Sequence, residues 1–274
     1  MRIALLQMCS GIDPAGNCET IVNGITAAAA GGATMLFTPE MSGLVDRDRA
    51  RAEPILKTEE HDIVLAAVRD AATRHGLWVN LGSLALRTDN GRLANRGFVI
   101  DAKGAIRARY DKIHLFDVDL PTGESWRESA SYSSGVSASL VETPIGVLGL
   151  SICYDLRFPA LYQRLSGAGA TILSIPAAFT RPTGAAHWHV LQRARAIESA
   201  AYVVAAAQTG VHEDGRETYG HSLVIDPWGK VILDLGEAPG LGFAEIDDAR
   251  IDDIRRRIPV LDHRREIPDI TVIA

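Results

Sequence analysis

This sequence predicts an α/β fold built on two sheets, and three observations predict it. Apolar runs of strand length alternate with segments of helical periodicity along the whole chain. No stretch of linker composition interrupts them, so the 274 residues read as one domain. The apolar strands are numerous, and two sheets packed face to face, each covered outside by helices, account for them.

The elements follow in order. Residues 2–8 are apolar and strand-like, and 17–30 form a helix ended by Gly31-Gly32. A strand over 33–37 stops at Thr38-Pro39. Residues 59–75 have helical spacing and close at Gly76. Residues 77–86 and 96–100 alternate with period two, and Lys103-Gly104 turns the chain into a strand over 106–110. Those hairpins make the sheets mixed. The run 146–152 is a Gly-bounded aliphatic strand, and Pro159 opens a helix over 159–166. A strand over 170–175 stops at Pro176, and a helix covers 185–199. Strands follow at 201–207, 220–225, 231–235 and 242–246, then a helix over 248–257 and an extended tail. The segments 33–39 and 170–176 resemble each other, which hints at two related halves.

Composition narrows the function. Hydrophobic residues make up 47% of the chain, enough for a large core. The net charge of -6 argues against a nucleic-acid partner, which calls for a basic patch. No apolar run approaches the roughly 18 residues of a membrane span. The apolar start meets polar Gln7 and then Asp13-Pro14, too short for a secretory leader. Three cysteines, Cys9, Cys18 and Cys153, without a disulfide-like pattern fit a reducing compartment, so the expected location is the cytoplasm.

Four residues can carry chemistry. Cys153 sits between an apolar strand and a helix-opening turn, where a thiol stands at a sheet edge and the helix N-terminus favours the thiolate. Glu40 follows Pro39 at the mouth of a strand, in the place of a general base. Lys112 follows the strand ending near Tyr110, where a fixed cation faces a developing oxyanion. Glu128 lies in a polar, Ser- and Gly-rich segment. Taken singly, each also fits a plainer role: an inert thiol, a loop acid, a surface lysine. Histidines 114, 187 and 221 are competing bases, and nothing in their spacing selects one. Metal catalysis has little support. There is no HExxH or CxxC, and His187 and His189, two apart on a helix, do not face one way.

Together the motifs resemble the nitrilase, or carbon–nitrogen hydrolase, superfamily. The resemblance rests on Phe37-Thr38-Pro39-Glu40, on Tyr110-Asp111-Lys112-Ile113-His114-Leu115-Phe116 and on Gly149-Leu150-Ser151-Ile152-Cys153-Tyr154-Asp155-Leu156-Arg157-Phe158-Pro159. It continues through residues 178–198, Tyr219-Gly220-His221-Ser222 and Asp226-Pro227-Trp228-Gly229. It implies a four-layer α-β-β-α sandwich paired into a homodimer or larger assembly, with residues 1–274 as one hydrolase domain whose C-terminal tail contacts a second subunit. It implies a Glu40–Lys112–Cys153 triad, Glu128 as an additional glutamate, and no cofactor or metal. The implied reaction splits a small amide into acid and ammonia through a thioester on Cys153.

The motif details resemble the Nit branch, whose members act on small amides carrying carboxylates. Deaminated glutathione is the expected substrate, with α-ketoglutaramate or a related dicarboxylate monoamide, or a nitrile, as alternatives. A carboxylate calls for a cation, and Arg157 and Arg181 are the candidates; Tyr154, Phe179 and Thr183 are the expected pocket walls. A non-catalytic binding protein on the same fold is the reading from another class. Losing Glu40, Lys112 or Cys153 would mark it, and all three are present.

Overall fold

Side-chain alternation in the first strand decides the architecture. Within Arg2–Gln7, Ile3 and Leu5 point to one side and Ala4 and Leu6 to the other, and all four are buried. A strand buried on both faces lies between two apolar layers. The computed structural model describes residues 1–119, 123 and 125–273 and shows both layers. Ala4 and Leu6 pack with Ile21, Ile25, Val64 and Val68 of the helices Pro14–Ala30 and Ile63–His75. Ile3 and Leu5 belong to the cluster that holds Leu148, Ile172 and Val203 of a second sheet. The helices Pro159–Gly167 and Arg181–Ser199 add Leu161, Leu165, Trp188 and Ala196 to that cluster. The layers run helix, sheet, sheet, helix.

Each sheet has six strands and the same plan. The first runs Gly240–Glu245, Arg2–Gln7, Met35–Phe37, Trp78–Arg87, Leu93–Ile100, Ile106–Asp111, with Arg2–Gln7, Met35–Phe37 and Trp78–Arg87 parallel. The second runs Val231–Asp234, Leu223–Ile225, Tyr202–Ala205, Ile172–Ser174, Gly146–Leu150, Leu140–Thr143, with Gly146–Leu150, Ile172–Ser174 and Tyr202–Ala205 parallel. The look-alike segments ending at Pro39 and Pro176 each contain the central strand of a parallel triplet. The repeat seen in the sequence is a repeat of position.

Local chemistry sets most boundaries. Asp13 caps the helix starting at Pro14, and Gly76, at φ 61°, ends the helix Ile63–His75. Other boundaries differ from expectation. The helix expected from 185 begins at Arg181, because Pro182 suits a first turn, whose N–H groups have no acceptor within the helix. The strands expected over 201–207 and 220–225 shrink to Tyr202–Ala205 and Leu223–Ile225. Short polar elements escape periodicity altogether: the helix Arg49–Ala52 and the hairpins Asp117–Asp119/Ser125–Arg127 and Thr209–Val211/Glu217–Tyr219.

The two parallel triplets meet at Gly82. A Cβ there would lie 2.2 Å from the Thr38 carbonyl, 2.4 Å from that of Pro39 and 2.6 Å from Pro176 Cβ. Backbone cannot yield as a side-chain tip does, so Gly82→Ala should cost about 1–3 kcal/mol and disturb the turn carrying Glu40. Chemical denaturation checks this, and an unchanged midpoint would contradict the packing.

Candidate active site

Glu40 is delivered by a turn with no slack. After Met35–Phe37 the chain turns through Thr38–Ser42, and each side of the turn is tied. Thr38 Oγ1 accepts from Gly82 N–H at 3.0 Å, Ser42 Oγ donates to Pro39 O at 2.7 Å, and Met41 N–H donates to Ser83 Oγ at 2.9 Å. Gln208 Nε2 donates to the Glu40 carbonyl at 3.0 Å. The carboxyl group is 4% exposed as part of its residue and fully bonded. Its Oε1 accepts from Lys112 Nζ at 2.9 Å and Asn95 Nδ2 at 2.9 Å, and its Oε2 accepts from Ala178 N–H at 2.9 Å.

Lys112 sits one residue past the strand Ile106–Asp111, its N–H donating to Asn95 O at 3.0 Å. Its ammonium is buried and donates at 2.9 Å to both Glu40 Oε1 and Glu128 Oε2. Glu128 opens the short helix Glu128–Ala130, and its Oε2 also accepts from Phe116 N–H at 2.7 Å. Asn95 completes the group: its Nδ2 reaches Glu40 at 2.9 Å and Glu128 at 3.1 Å. The sequence reading missed Asn95. Its signal is a polar residue inside an otherwise buried strand, Leu93–Ile100.

Cys153 comes from the opposite sheet. It begins the five-residue 3-10 helix Cys153–Arg157 in the left-handed region, at φ 49°. Asp155, fully buried, holds this turn. Its Oδ2 accepts from Ile152 N–H at 2.9 Å and Tyr110 Oη at 2.7 Å, and its Oδ1 contacts His114 Nδ1 at 2.6 Å. One carboxylate thus ties the cysteine turn to the segment carrying Lys112. The thiol faces the cavity that Glu40 and Lys112 also line, which brings together the three residues that the sequence places far apart.

The charges are set by competition. Burial pushes the Glu40 carboxyl up, but the Lys112 charge and the hydrogen bonds from Cys153, Lys112 and Asn95 outweigh it and hold Glu40 below the usual carboxylate range. Burial works against the Lys112 ammonium, and Glu128 and Glu40 reverse that, holding it well above the usual lysine value. Burial, then the Glu40 charge, push the Cys153 thiol well above its usual value. The expected thiolate at a helix N-terminus is therefore corrected: the turn is too short to supply a useful dipole, and the thiol is buried beside an anion.

These residues line a cavity of about 490 Å³. Tyr154, Arg157, Phe179 and Thr183 line it, and so do Arg49, Trp126 and Tyr132, which the sequence does not single out. Phe179 packs on buried Trp188 with ring centroids 4.9 Å apart, and the Arg157 guanidinium lies 5.5 Å over Phe179. Arg181 is not among the lining residues; it pairs with Glu237 at 2.8 Å. The competing histidines are elsewhere. His114 bonds Asp155, exposed His187 sits 3.3 Å from Arg157, and His221 contacts Asp234.

Residues 2–256 match the model of the carbon–nitrogen hydrolase family. The chain is 42% identical over 277 residues to the deaminated glutathione amidase of Homo sapiens, covering 98% of this chain and 83% of that protein. It is 38% identical over 272 residues to the deaminated glutathione amidase of Yersinia enterocolitica, covering 98% of this chain and 94% of that protein. Saccharomyces cerevisiae Nit3, a member of branch 10 of the nitrilase superfamily, superposes with a TM-score of 0.87 at 26% identity over 97% of both chains.

The charge balance has a spectroscopic consequence. The thiolate absorbance difference between the protein and Cys153→Ala should stay flat from roughly pH 6 to 9, because Cys153 remains a thiol. In Glu40→Gln the anion is gone and Lys112 stays, so the thiolate should appear at lower pH. A thiolate already present near neutral pH in the unaltered protein would contradict this balance.

Proposed function

Because the chain belongs to the carbon–nitrogen hydrolase family and is an amide-hydrolysing enzyme, we propose that its substrate is deaminated glutathione, cleaved through a thioester on Cys153. The observation that carries the chemistry is the bonding of Glu40: a buried carboxylate held by the Lys112 ammonium at 2.9 Å, lining one cavity with the Cys153 thiol. Such a group takes a proton as sulfur attacks.

The steps follow from that arrangement. Cys153 Sγ attacks the amide carbonyl carbon while its proton passes to Glu40. The carbonyl becomes an oxyanion, stabilised by the Lys112 ammonium and the Tyr154 backbone N–H. Glu40 returns the proton to the departing nitrogen, the C–N bond breaks, and a thioester remains. Water then gives a proton to Glu40 and attacks the thioester, and the thiol recovers its proton as the acid leaves. Glu128 fixes Lys112 rather than moving protons. Asn95 keeps the two carboxylates apart.

Two features support the substrate. Deaminated glutathione has a carboxylate at each end, and two lining arginines, Arg157 and Arg49, have no carboxylate within 4.0 Å among the described residues. A cavity of about 490 Å³ also exceeds what a five-carbon amide occupies and suits a tripeptide-sized molecule. The leaving group changes with this choice. The nitrogen of the γ-amide belongs to a cysteine residue, so the product is the amine of a dipeptide, and only a primary amide such as α-ketoglutaramate would release ammonia.

We also propose that the chain pairs with a copy of itself. The tail ends with Ile267, Ile270, Val272 and Ile273, each more than 80% exposed, and a second subunit would cover them.

Release of free amine and of ammonia, measured in parallel over deaminated glutathione, α-ketoglutaramate, simple nitriles and uncharged amides, tests the substrate. Deaminated glutathione should give the largest kcat/KM; turnover no faster than that of uncharged amides would reject it. Glu40→Gln should lower kcat by about 10²–10⁴-fold despite its more acidic thiol, and Cys153→Ala should form no thioester by intact mass. Light scattering at micromolar protein should give twice the chain mass or more, and a monomer mass would reject the pairing.

A further inference from the structure

Outside the cavity, three donor side chains from distant parts of the chain converge. His189 lies on the helix Arg181–Ser199, His221 precedes the strand Leu223–Ile225, and Asp234 ends the strand Val231–Asp234. His189 Nε2 is 3.0 Å from Asp234 Oδ2, and His221 Nδ1 is 2.9 Å from Asp234 Oδ1. One ligand atom from each residue lies within 4.8 Å of the other two. We propose that His189, His221 and Asp234 bind one divalent transition-metal ion of the zinc type, with a fourth position open to solvent.

The donor set suits that class. Two imidazoles and a carboxylate are ligands for zinc and its neighbours and poor ones for calcium or magnesium, which favour an all-oxygen shell. The geometry is close as well. Tetrahedral donors at zinc distances lie about 3.3 Å apart; Asp234 Oδ2 is 3.0 Å from His189 Nε2 and 3.2 Å from His221 Nδ1, so those two spacings need little change, and the two imidazoles, within 4.8 Å of each other, would close onto the ion. The three side chains are 36%, 20% and 33% exposed, which leaves an ion a way in.

The surroundings hold the donors in place without metal. Gly236 N–H donates to Asp234 Oδ1 at 2.9 Å, and Trp188 Nε1 donates to the His221 carbonyl at 2.8 Å. His221 stacks on Tyr219 with ring centroids 4.5 Å apart. It also holds a left-handed backbone, φ 54°, which a residue with a Cβ adopts only under strain. A bound ion would link the outer helix to the edge strand of its sheet, just behind Trp188, which backs the cavity wall at Phe179.

Calorimetric titration of the full chain with zinc chloride tests this, using Cys153→Ala as the parent so that the catalytic thiol does not compete. One ion per chain should bind with micromolar or tighter affinity and raise the thermal midpoint. His189→Ala and Asp234→Asn should each weaken binding at least about tenfold and abolish the thermal shift. His189 bonds only through its side chain from a half-exposed helix position, so its replacement keeps the test valid should Asp234→Asn fold poorly. Absence of one-to-one binding, or binding unchanged in His189→Ala, would overturn the proposal and leave a hydrogen-bonded imidazole–carboxylate–imidazole group.

Discussion

A single buried ammonium organises this molecule. Lys112 is 3% exposed and has two carboxylates within 2.9 Å. Removing a lysine from water costs several kcal/mol, and the cost is recovered only if its partners are close and themselves fully bonded. The chain meets that demand from five places. The turn after Met35–Phe37 provides Glu40, the strand Leu93–Ile100 provides Asn95, the helix Glu128–Ala130 provides its first residue, and the backbone at Ala178 and Phe116 provides N–H donors. Glu40, Asn95 and Lys112 all leave the first sheet, and the Ala178 N–H reaches Glu40 from the second, so the carboxyl group also depends on how the two sheets stack. The site and the fold are therefore one constraint seen at two scales.

The position of the site follows from the repeated plan of the sheets. Each sheet has a parallel triplet whose strands point the same way, so the chain leaves all three at one edge. Glu40 leaves the middle strand of the first triplet, and Cys153 leaves an outer strand of the second. Gly82 lets Thr38, Pro39 and Pro176 approach closely enough for the two edges to share a cleft. Asp155 then fixes the angle of the cysteine turn against the segment carrying Lys112. A thiol and its base from different sheets meet because the seam between the sheets is where backbone stops and side chains can converge.

Much of this is legible in the sequence. A residue just past an apolar strand that stops at proline or a turn must lie at a sheet edge, and that reasoning finds Glu40, Lys112 and Cys153. Glu128 was legible only through resemblance, since a glutamate in a polar loop carries no periodic signal. Asn95 is not legible, because the strand expected from 96 begins one residue after it, and the carboxylates that bury it, Glu40 and Glu128, are distant in sequence. The thiol's environment was misjudged for a physical reason. Sequence shows which element follows Cys153, but not the anion that a different sheet sets beside it. Arg181 stands outside the cavity and pairs with Glu237, which is 56 residues on and its neighbour only in the folded chain. The His189–His221–Asp234 group escaped for the same reason, since sequence offered only the pair His187 and His189.

A neutral thiol facing an ionised base is also the economical resting state for the proposed reaction. A thiolate beside Glu40 would put two anions in contact in a dry site, and each would raise the other's affinity for the shared proton. Keeping that proton on sulfur leaves one negative charge, on Glu40, facing Lys112. As sulfur attacks, the proton moves to Glu40 and the negative charge moves to the substrate oxygen, still facing Lys112. The net charge of the buried site is the same before and after, so the surroundings need little reorganisation, which is the condition under which fixed charges lower a barrier most. The same ammonium that makes the fold depend on its partners is the one toward which the reacting charge moves.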